Sequence, residues 1–250
     1  MPEYECSNWY TGYDTWHWDK CERDDICNPD NWFEKPENWR IKYDSDISYH
    51  NWADPSKLNL TCVDKNLIGS IGSIFFVGFA ISAAIVPRYA DTKGRKKPYL
   101  ASMTVQLLMY CLLFVSKSIY FTIFIYFVLG LCAGGRVAIG TMYMTEFVPE
   151  RNQQVVVTAL NCGDASTMIM QAIYYKLNDN WLPLHLFGLV WCFLNLIAVC
   201  VIPESPKFYY ANKRFTEAKE SLQTVLKYNK PDMDPSILEA LVFDTEYALT

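Results

Sequence analysis

Residues 67–98 read LIGSIGSIFFVGFAISAAIVPRYADTKGRKKP, and this stretch decides the fold. Residues 67–86 carry no charge, and a helix of that length rises about 30 Å, which matches the hydrocarbon core of a bilayer. Residues 87–98 then hold five Lys or Arg against one Asp, and a new apolar run starts at Tyr99. The sequence therefore predicts two membrane-spanning helices joined by a tight basic turn. The excess of basic residues predicts that this turn faces the cytoplasm or the mitochondrial matrix.

Composition divides the chain by position. The first 60 residues hold thirteen Asp or Glu, six Lys or Arg and six of the eight Trp, whereas residues 67–202 are mostly apolar. The net charge of -5 arises in the N-terminal stretch and gives no indication of nucleic-acid binding. We predict three parts: an acidic, Trp- and Cys-containing extramembrane segment (1–66), a transmembrane bundle (67–203) and amphipathic inner-side helices (204–250).

Apolar runs along the chain predict five spans and an all-α integral membrane protein. The spans are predicted at residues 67–86, 99–116, 119–143, 155–175 and 181–202. Small residues four apart, Gly78 with Ser82 and Gly130 with Gly134, predict closely packed helices. After the last span, apolar residues at helical spacing predict an amphipathic helix over 216–228, and the residues 236–239 resemble a capping box that opens another.

The N-terminal segment has two interpretations. It is either a solvated loop with its aromatic residues at headgroup level or a docking surface for other membrane-protein subunits, and we favour docking because Trp and Tyr anchor interfaces. Four cysteines precede the first span: Cys6, Cys21, Cys27 and Cys62. They can form two disulfides, in any of three connectivities, if the segment faces an oxidising compartment. No CxxC pair is present, so we predict no metal site.

Three motifs follow one another along the chain. DTKGRK (91–96) follows the first span, TEFVPER (145–151) the third and PESPKF (203–208) the fifth. In order and spacing they resemble the signatures of the major facilitator superfamily: the loop between its second and third helices, the segment after its fourth helix and the PESP motif that closes its sixth. The long Cys-bearing segment resembles the organic cation/anion transporters. The likeness covers about residues 60–230 and implies that the chain carries helices two to six of twelve.

The resemblance implies a gating role for charges at the inner ends of the helices. In the family such residues clamp the helix ends and help to switch between outward- and inward-facing states. The positions that match are Asp91, Gly94, Arg95, Lys96, Glu146, Arg151, Glu204, Ser205, Pro206 and Lys207. Local charge pairing is the competing interpretation, because an acid next to Arg at a helix end stabilises any fold. Pro87 and Thr92 depart from the family pattern, which has Gly and Arg there.

Two charged residues fall inside predicted spans, where charges are costly and are usually paired or functional. Arg136 and Asp164 lie at similar depths when counted along their spans, so we predict one buried ion pair between two helices. In the alternative, Asp164 forms a cation or proton site with Asn161, Ser166 and Gln171, or the charges meet a partner subunit.

Alternating access needs two bundles that rock about a midplane site, and the resemblance covers less than one bundle. We therefore predict an accessory or structural subunit of a larger membrane complex, in the mitochondrial inner membrane or the plasma membrane, that does not transport alone. The alternative is a transporter of organic ions or sugars that further helices or a partner chain complete, with a small organic solute as its ligand. Neither an enzyme nor a cofactor is predicted, because no catalytic pattern occurs. The predicted partners are the lipid bilayer and other membrane subunits.

Overall fold

Residues 4–10, 15–27, 39–41, 58, 60–178 and 181–229 are described by the computed structural model. Along them the chain forms a small antiparallel sheet, then five long helices, and then two short helices at one end of the bundle. We call the end that carries Gly94 the inner end, because its basic residues predict that it faces the cytoplasm or matrix. The opposite end is the outer end.

The N-terminal segment contains three strands, β1 (Tyr4–Tyr10), β2 (Thr15–Cys21) and β3 (Trp39–Ile41), in the order β2-β1-β3. Both pairings are antiparallel. A one-turn helix, α1 (Arg23–Ile26), follows β2. The expectation of a loop is thus wrong for these residues. Aromatic residues favour strands, and a ladder satisfies backbone groups that a loop leaves to water.

Five long helices follow. Their bounds are α2 (Lys65–Lys93), α3 (Lys96–Val115), α4 (Ile119–Glu146), α5 (Glu150–Leu177) and α6 (Leu182–Val201). In the described part of the chain, α2, α3, α4 and α6 are long and apolar enough to cross a membrane. This confirms an all-α membrane bundle.

The fourth predicted span differs from the others. Residues 155–175 lie within α5, which is helical and long but is not among the helices apolar enough to cross a membrane. Polar residues such as Asn161, Asp164 and Gln171 lower its mean hydropathy, and none of its described residues is buried. The prediction of five apolar spans is therefore met by four helices, with α5 as a polar helix beside them.

The basic turn is much shorter than predicted. Helix α2 continues through Pro87 to Lys93, and α3 begins at Lys96, so the turn consists of Gly94 and Arg95. A proline inside a helix removes one backbone hydrogen bond, but membrane helices tolerate it when neighbouring groups support the backbone. The two helices are therefore joined almost directly.

The core lies between α2 and α4, which pack against each other more extensively than any other pair of described elements. Glycines at the crossing bring the two backbones into contact. A Cβ atom on Gly130 would stand 2.1 Å from the carbonyl oxygen of Phe75, and one on Gly134 would stand 2.4 Å from that of Phe79. This confirms the close packing predicted from the small residues.

Two short helices follow α6 at the inner end. They are α7 (Pro206–Ala211) and α8 (Phe215–Asn229). Helix α8 agrees with the amphipathic helix predicted over 216–228, and it buries Ala218 and Ser221. The predicted capping box at 236–239 lies outside the described residues.

Candidate functional site

Arg95 is the centre of a charge cluster at the inner end. It follows Gly94 at the start of α3, so its side chain can reach the last turns of both α2 and α4. Its guanidinium pairs with Asp91 four residues earlier, and its Nε donates to Glu146 Oε1 at 3.2 Å. The Arg95 and Glu146 side chains are only 13% and 17% exposed, whereas Asp91 is 60% exposed. The pair with Glu146 is therefore the better shielded of the two.

Glu204 belongs to the same cluster but binds main-chain groups. Its Oε1 accepts the backbone N–H groups of Arg95 at 2.9 Å, of Lys96 at 3.0 Å and of Ser205 at 3.0 Å. The first N–H groups of a helix have no partner inside the helix, and a carboxylate there also matches the helix dipole. Glu204 thus caps α3 from a segment more than 100 residues further along the chain. We call Asp91, Arg95, Glu146 and Glu204 the inner cluster.

Gly94 gives Glu204 its access to α3. Its φ of 101° and ψ of 162° belong to a region that almost only glycine adopts. A Cβ atom at this position would stand 2.4 Å from Glu204 Oε2. The backbone conformation therefore requires glycine, and an added Cβ would in addition displace the Glu204 carboxylate.

The PESP segment connects the inner cluster to α7 and α8. Ser205 Oγ accepts the N–H of Phe208 at 3.2 Å and so caps α7, and Pro206 occupies the first turn, where a missing N–H costs nothing. Ser221 on α8 donates its hydroxyl to the Glu204 carbonyl oxygen at 2.6 Å. Ser205 and Pro206 are buried, and Lys207 is exposed.

Some contacts at the inner end involve residues that sequence reasoning missed. Gln153 donates its amide to the carbonyl oxygens of Thr145 and Val148, at 3.2 and 3.4 Å, where α4 ends. Tyr143 donates its hydroxyl to the Pro203 carbonyl oxygen. The available signal was a polar residue at the inner end of a predicted span: Tyr143 is the last residue of 119–143, and Gln153 lies two residues before 155–175.

Two further basic residues of the predicted motif lie differently. Lys96 Nζ donates to the carbonyl oxygen of Cys200 at 2.8 Å, so it binds the end of α6. Arg151 is exposed in the first turn of α5, and Glu146 pairs with Arg95 instead. The structure therefore brings Asp91, Arg95 and Glu146 together and leaves Arg151 apart.

The electrostatics of the inner cluster keep Arg95 charged. Burial by itself would lower the pKa of the Arg95 guanidinium, but the hydrogen bond to Asp91 and the charge of Glu146 raise it above its usual value. Burial, followed by the charge of Glu204, raises the pKa of Tyr209 on α7. Glu146 Oε2 is buried and has no hydrogen-bond partner among the described residues.

The predicted ion pair between Arg136 and Asp164 does not form. Asp164 is exposed on α5, and α5 makes few contacts with α4, which carries Arg136. The Nε of Arg136 is buried without a hydrogen-bond partner among the described residues. The few contacts between α4 and α5, together with the exposure of Asp164, leave the two charges without a contact.

A cavity of about 420 Å³ opens at the outer end between α3, α4, α5 and α6. Gln171, one of the predicted intramembrane polar residues, lines it together with Tyr110, Tyr126 and His185; Asn161 is exposed elsewhere on α5. The ring of His185 lies 4.8 Å from that of Phe114, centroid to centroid, and its Nε2 lies 3.3 Å from the Tyr110 carbonyl oxygen. Because a carbonyl only accepts, Nε2 is the donor.

The four N-terminal cysteines form two disulfides. Cys6 pairs with Cys21 and joins β1 to β2, while Cys27 pairs with Cys62, three residues before α2 begins. This is one of the three connectivities that the sequence left open. Among the described residues, no group of three or more His, Cys, Asp or Glu has the arrangement of a metal site.

Comparison with known proteins gives the family. Residues 34–243 match the family described as "Sugar (and other) transporter". Solute carrier family 22 member 2 of Rattus norvegicus is 25% identical over 184 residues, which is 73% of this chain and 33% of the relative. Solute carrier family 22 member 13 of Homo sapiens is 25% identical over 192 residues, 75% of this chain and 34% of the relative.

A third relative comes from yeast. Hexose transporter HXT13 of Saccharomyces cerevisiae is 27% identical over 173 residues, 66% of this chain and 30% of the relative. The chain thus spans about a third of the length of these transporters. With its four apolar helices and a family match over most of its length, the chain is an integral membrane protein and belongs to the sugar (and other) transporter family of the major facilitator superfamily.

Proposed function

We propose that this chain forms a helical bundle of a solute carrier, and that the carrier moves a small organic solute, an organic ion or a sugar, across the membrane. In this proposal the inner cluster holds the inner ends of the helices together while the bundle moves as one body. The observation that carries the proposal is the position of Arg95, which binds Asp91 on α2 and Glu146 on α4 at the same time.

The connections at the inner end support a bundle that rocks as a unit. Arg95 joins α2 to α4, and Glu204 joins α3 to the segment after α6. At the outer end the helices leave a cavity of about 420 Å³ instead. Alternating access needs rigid bundles that tilt about a site near the membrane midplane. Helices that are connected by ion pairs and hydrogen bonds at one end can tilt together as such a bundle.

The unpartnered oxygen of Glu146 supports a further contact during transport. A buried carboxylate oxygen without a hydrogen bond is costly, and native structures rarely keep one. A donor from another part of the carrier would satisfy Glu146 Oε2 in the inner-closed state and leave it in the inner-open state. The cluster would then distinguish the two states energetically.

The disulfides support a plasma membrane or a membrane of the secretory pathway over the mitochondrial inner membrane. Disulfides persist in oxidising compartments, and both disulfides precede α2, on the side of the bundle opposite the basic turn. A fluorescent fusion compared with organelle markers tests this location. Coincidence with the mitochondrial inner membrane would contradict it.

The transport proposal is tested by uptake. We would reconstitute the chain, with any chain that co-purifies with it, into liposomes and measure entry of labelled tetraethylammonium, para-aminohippurate and glucose. We expect saturable uptake of at least one solute and a large loss of rate in Arg95→Gln. Arg214→Gln, which removes an exposed pair on α8, is the matched control and should leave uptake unchanged. Equal entry into protein-free liposomes for each solute would contradict the proposal.

A second candidate function is an accessory subunit of a larger membrane complex. It is favoured by α5, which buries none of its described residues and so leaves a 28-residue helix for other chains to cover. Purification in mild detergent distinguishes the two functions. Stoichiometric recovery with several unrelated membrane chains, and no uptake by that complex, would favour the accessory function over transport.

A further inference from the structure

Three basic residues at the inner ends of α2 and α3 have exposed side chains. They are Arg88, Lys93 and Lys97. Within the part of the chain that the structure describes, none of the three takes part in an ion pair, in contrast to Arg95 beside them. They lie within ten residues of one another in sequence, on either side of the two-residue turn.

The carboxylates of the inner cluster are already engaged. Asp91 and Glu146 bind the guanidinium of Arg95, and Glu204 binds the backbone amides at the start of α3. Among the described residues, the inner cluster therefore forms no ion pair with Arg88, Lys93 or Lys97. The five basic residues around the turn, 88, 93 and 95–97, stand against the three carboxylates of the cluster, which leaves a net charge of +2 for this group.

Local structure does not account for all of this charge. Lys93 lies in the last turn of α2, where a cation matches the helix dipole. Lys97 lies in the first turn of α3, which contains no acidic residue and where the dipole opposes a cation. The dipole of α3 therefore does not stabilise the charge of Lys97, and the carboxylate at this helix end, Glu204, binds backbone amides and not the Lys97 side chain.

An exposed apolar column on α2 leads to the three cations. Its members repeat every four residues on one helix face: Val77, Ile81, Ile85 and Tyr89. Tyr is typical of the headgroup level of a membrane, and Tyr89 stands directly beside Arg88. Lys93 lies about 7.5 Å further along the helix axis than Arg88. Apolar side chains, an aromatic ring and then cations follow the order of acyl chain, glycerol region and phosphate in a lipid.

We propose that Arg88, Lys93 and Lys97 bind the headgroup of an anionic phospholipid from the inner leaflet, with one acyl chain along the apolar column of α2. The charges are complementary, and one interfacial Lys or Arg adds roughly fivefold to the affinity for an anionic membrane surface. The lipid is a bound partner and not a transported solute, so the inference does not depend on the proposed function.

The test compares lipids on the purified full chain in a neutral detergent. Phosphatidylserine or phosphatidylcholine is added, the Tm is measured, and the lipids that remain bound are quantified by mass spectrometry. We expect phosphatidylserine to raise the Tm more than phosphatidylcholine does. In the triple variant Arg88→Gln, Lys93→Gln, Lys97→Gln, the ratio of bound phosphatidylserine to phosphatidylcholine should fall by about tenfold or more.

The control removes three other exposed inner cations, Lys207, Lys213 and Lys227, by the same change to Gln. An equal loss in this control would overturn the proposal, since general surface charge would then explain the binding. Glycerophosphoserine has the same headgroup but lacks acyl chains. If it raises the Tm as much as phosphatidylserine does, the acyl chain contributes nothing and the proposal of a bound lipid is overturned. If the triple variant does not fold in phosphatidylcholine, the same preference is measured on the unmodified chain at about 0.1 M and 1 M salt, and an unchanged ratio overturns the proposal.

Discussion

At the scale of single residues, Arg95 forms ion pairs with two carboxylates that differ greatly in solvent exposure. Asp91 is largely in solvent, so its pair with Arg95 is weakened by screening. Glu146 is mostly buried, so the loss of Arg95 would leave a shielded negative charge without its partner. Most of the stabilisation therefore belongs to the contact with Glu146.

Arg95→Gln should lower the free energy of unfolding by about 2–3 kcal/mol, because a partly buried carboxylate loses its charged donor. Asp91→Asn should cost less than about 1 kcal/mol. Titration of mixed detergent micelles with SDS, followed by circular dichroism, measures both values. Equal losses in the free energy of unfolding for the two variants would show that the exposed pair with Asp91 stabilises the protein as much as the buried pair with Glu146.

Gly94→Ala should be among the most damaging small substitutions. The alanine would adopt a backbone region that costs it roughly 1–3 kcal/mol, and its Cβ would displace Glu204 from α3. We expect a total loss of about 3 kcal/mol in the free energy of unfolding. Gly69→Ala, where nothing lies within 4 Å of the added atom, is the control and should change stability little. A neutral Gly94→Ala variant would contradict the described geometry of the turn.

The sequence identified Asp91, Arg95 and Glu204 as site residues only through family resemblance. It did not reveal that Glu204 binds main-chain amides, because amides carry no residue-type signal and these lie over 100 positions away. Counting residues along the spans predicts similar depths for Arg136 and Asp164. Depth, however, does not specify which way a helix faces or where its neighbour lies, and the predicted pair does not form.

At the scale of elements, the helix crossing of α2 and α4 depends on glycine. Gly130→Ala would place a methyl group 2.1 Å from a backbone oxygen of Phe75, which cannot move without shifting α2. We expect a loss of about 2 kcal/mol or more in the free energy of unfolding, measured in the same micelle titration. Gly72→Ala on α2, where the added atom meets nothing within 4 Å, should be nearly neutral. Similar losses in the two variants would show that helix propensity, and not close packing, decides the result.

Four apolar spans could be predicted because burial in lipid is favourable residue by residue and so sums along a segment. The ends of the helices could not be predicted in the same way. Helices α2 and α4 continue past the apolar residues into polar ones, because the backbone hydrogen bonds of a helix do not depend on side-chain polarity. The sequence predicts a turn that starts at Pro87, yet the helix passes through it. The strands of the N-terminal segment were missed because six Trp among many acidic residues suggested a loop.

At the scale of the whole molecule, the disulfides predict on which side of a membrane the N-terminal segment lies. The chain has nine cysteines, of which Cys111, Cys132, Cys162, Cys192 and Cys200 are free. The other four are paired.

Protein extracted from native membranes and denatured without reductant should react with five maleimide equivalents, and with nine after reduction. Intact mass spectrometry counts the additions. Nine additions before reduction would place the segment in a reducing compartment and remove the support for a plasma or secretory-pathway membrane. A Cys27→Ser, Cys62→Ser double variant should again give five additions before reduction but only seven after it, because seven cysteines remain and Cys6 stays paired with Cys21.

The bridge from Cys27 to Cys62 has a consequence for how the molecule responds to proteases. It closes a loop of 35 residues just before α2. A single cut between residues 28 and 61 would leave the first 27 residues covalently attached to the membrane. Release of residues 1–27 from the helices would therefore require a reductant as well as a cleavage.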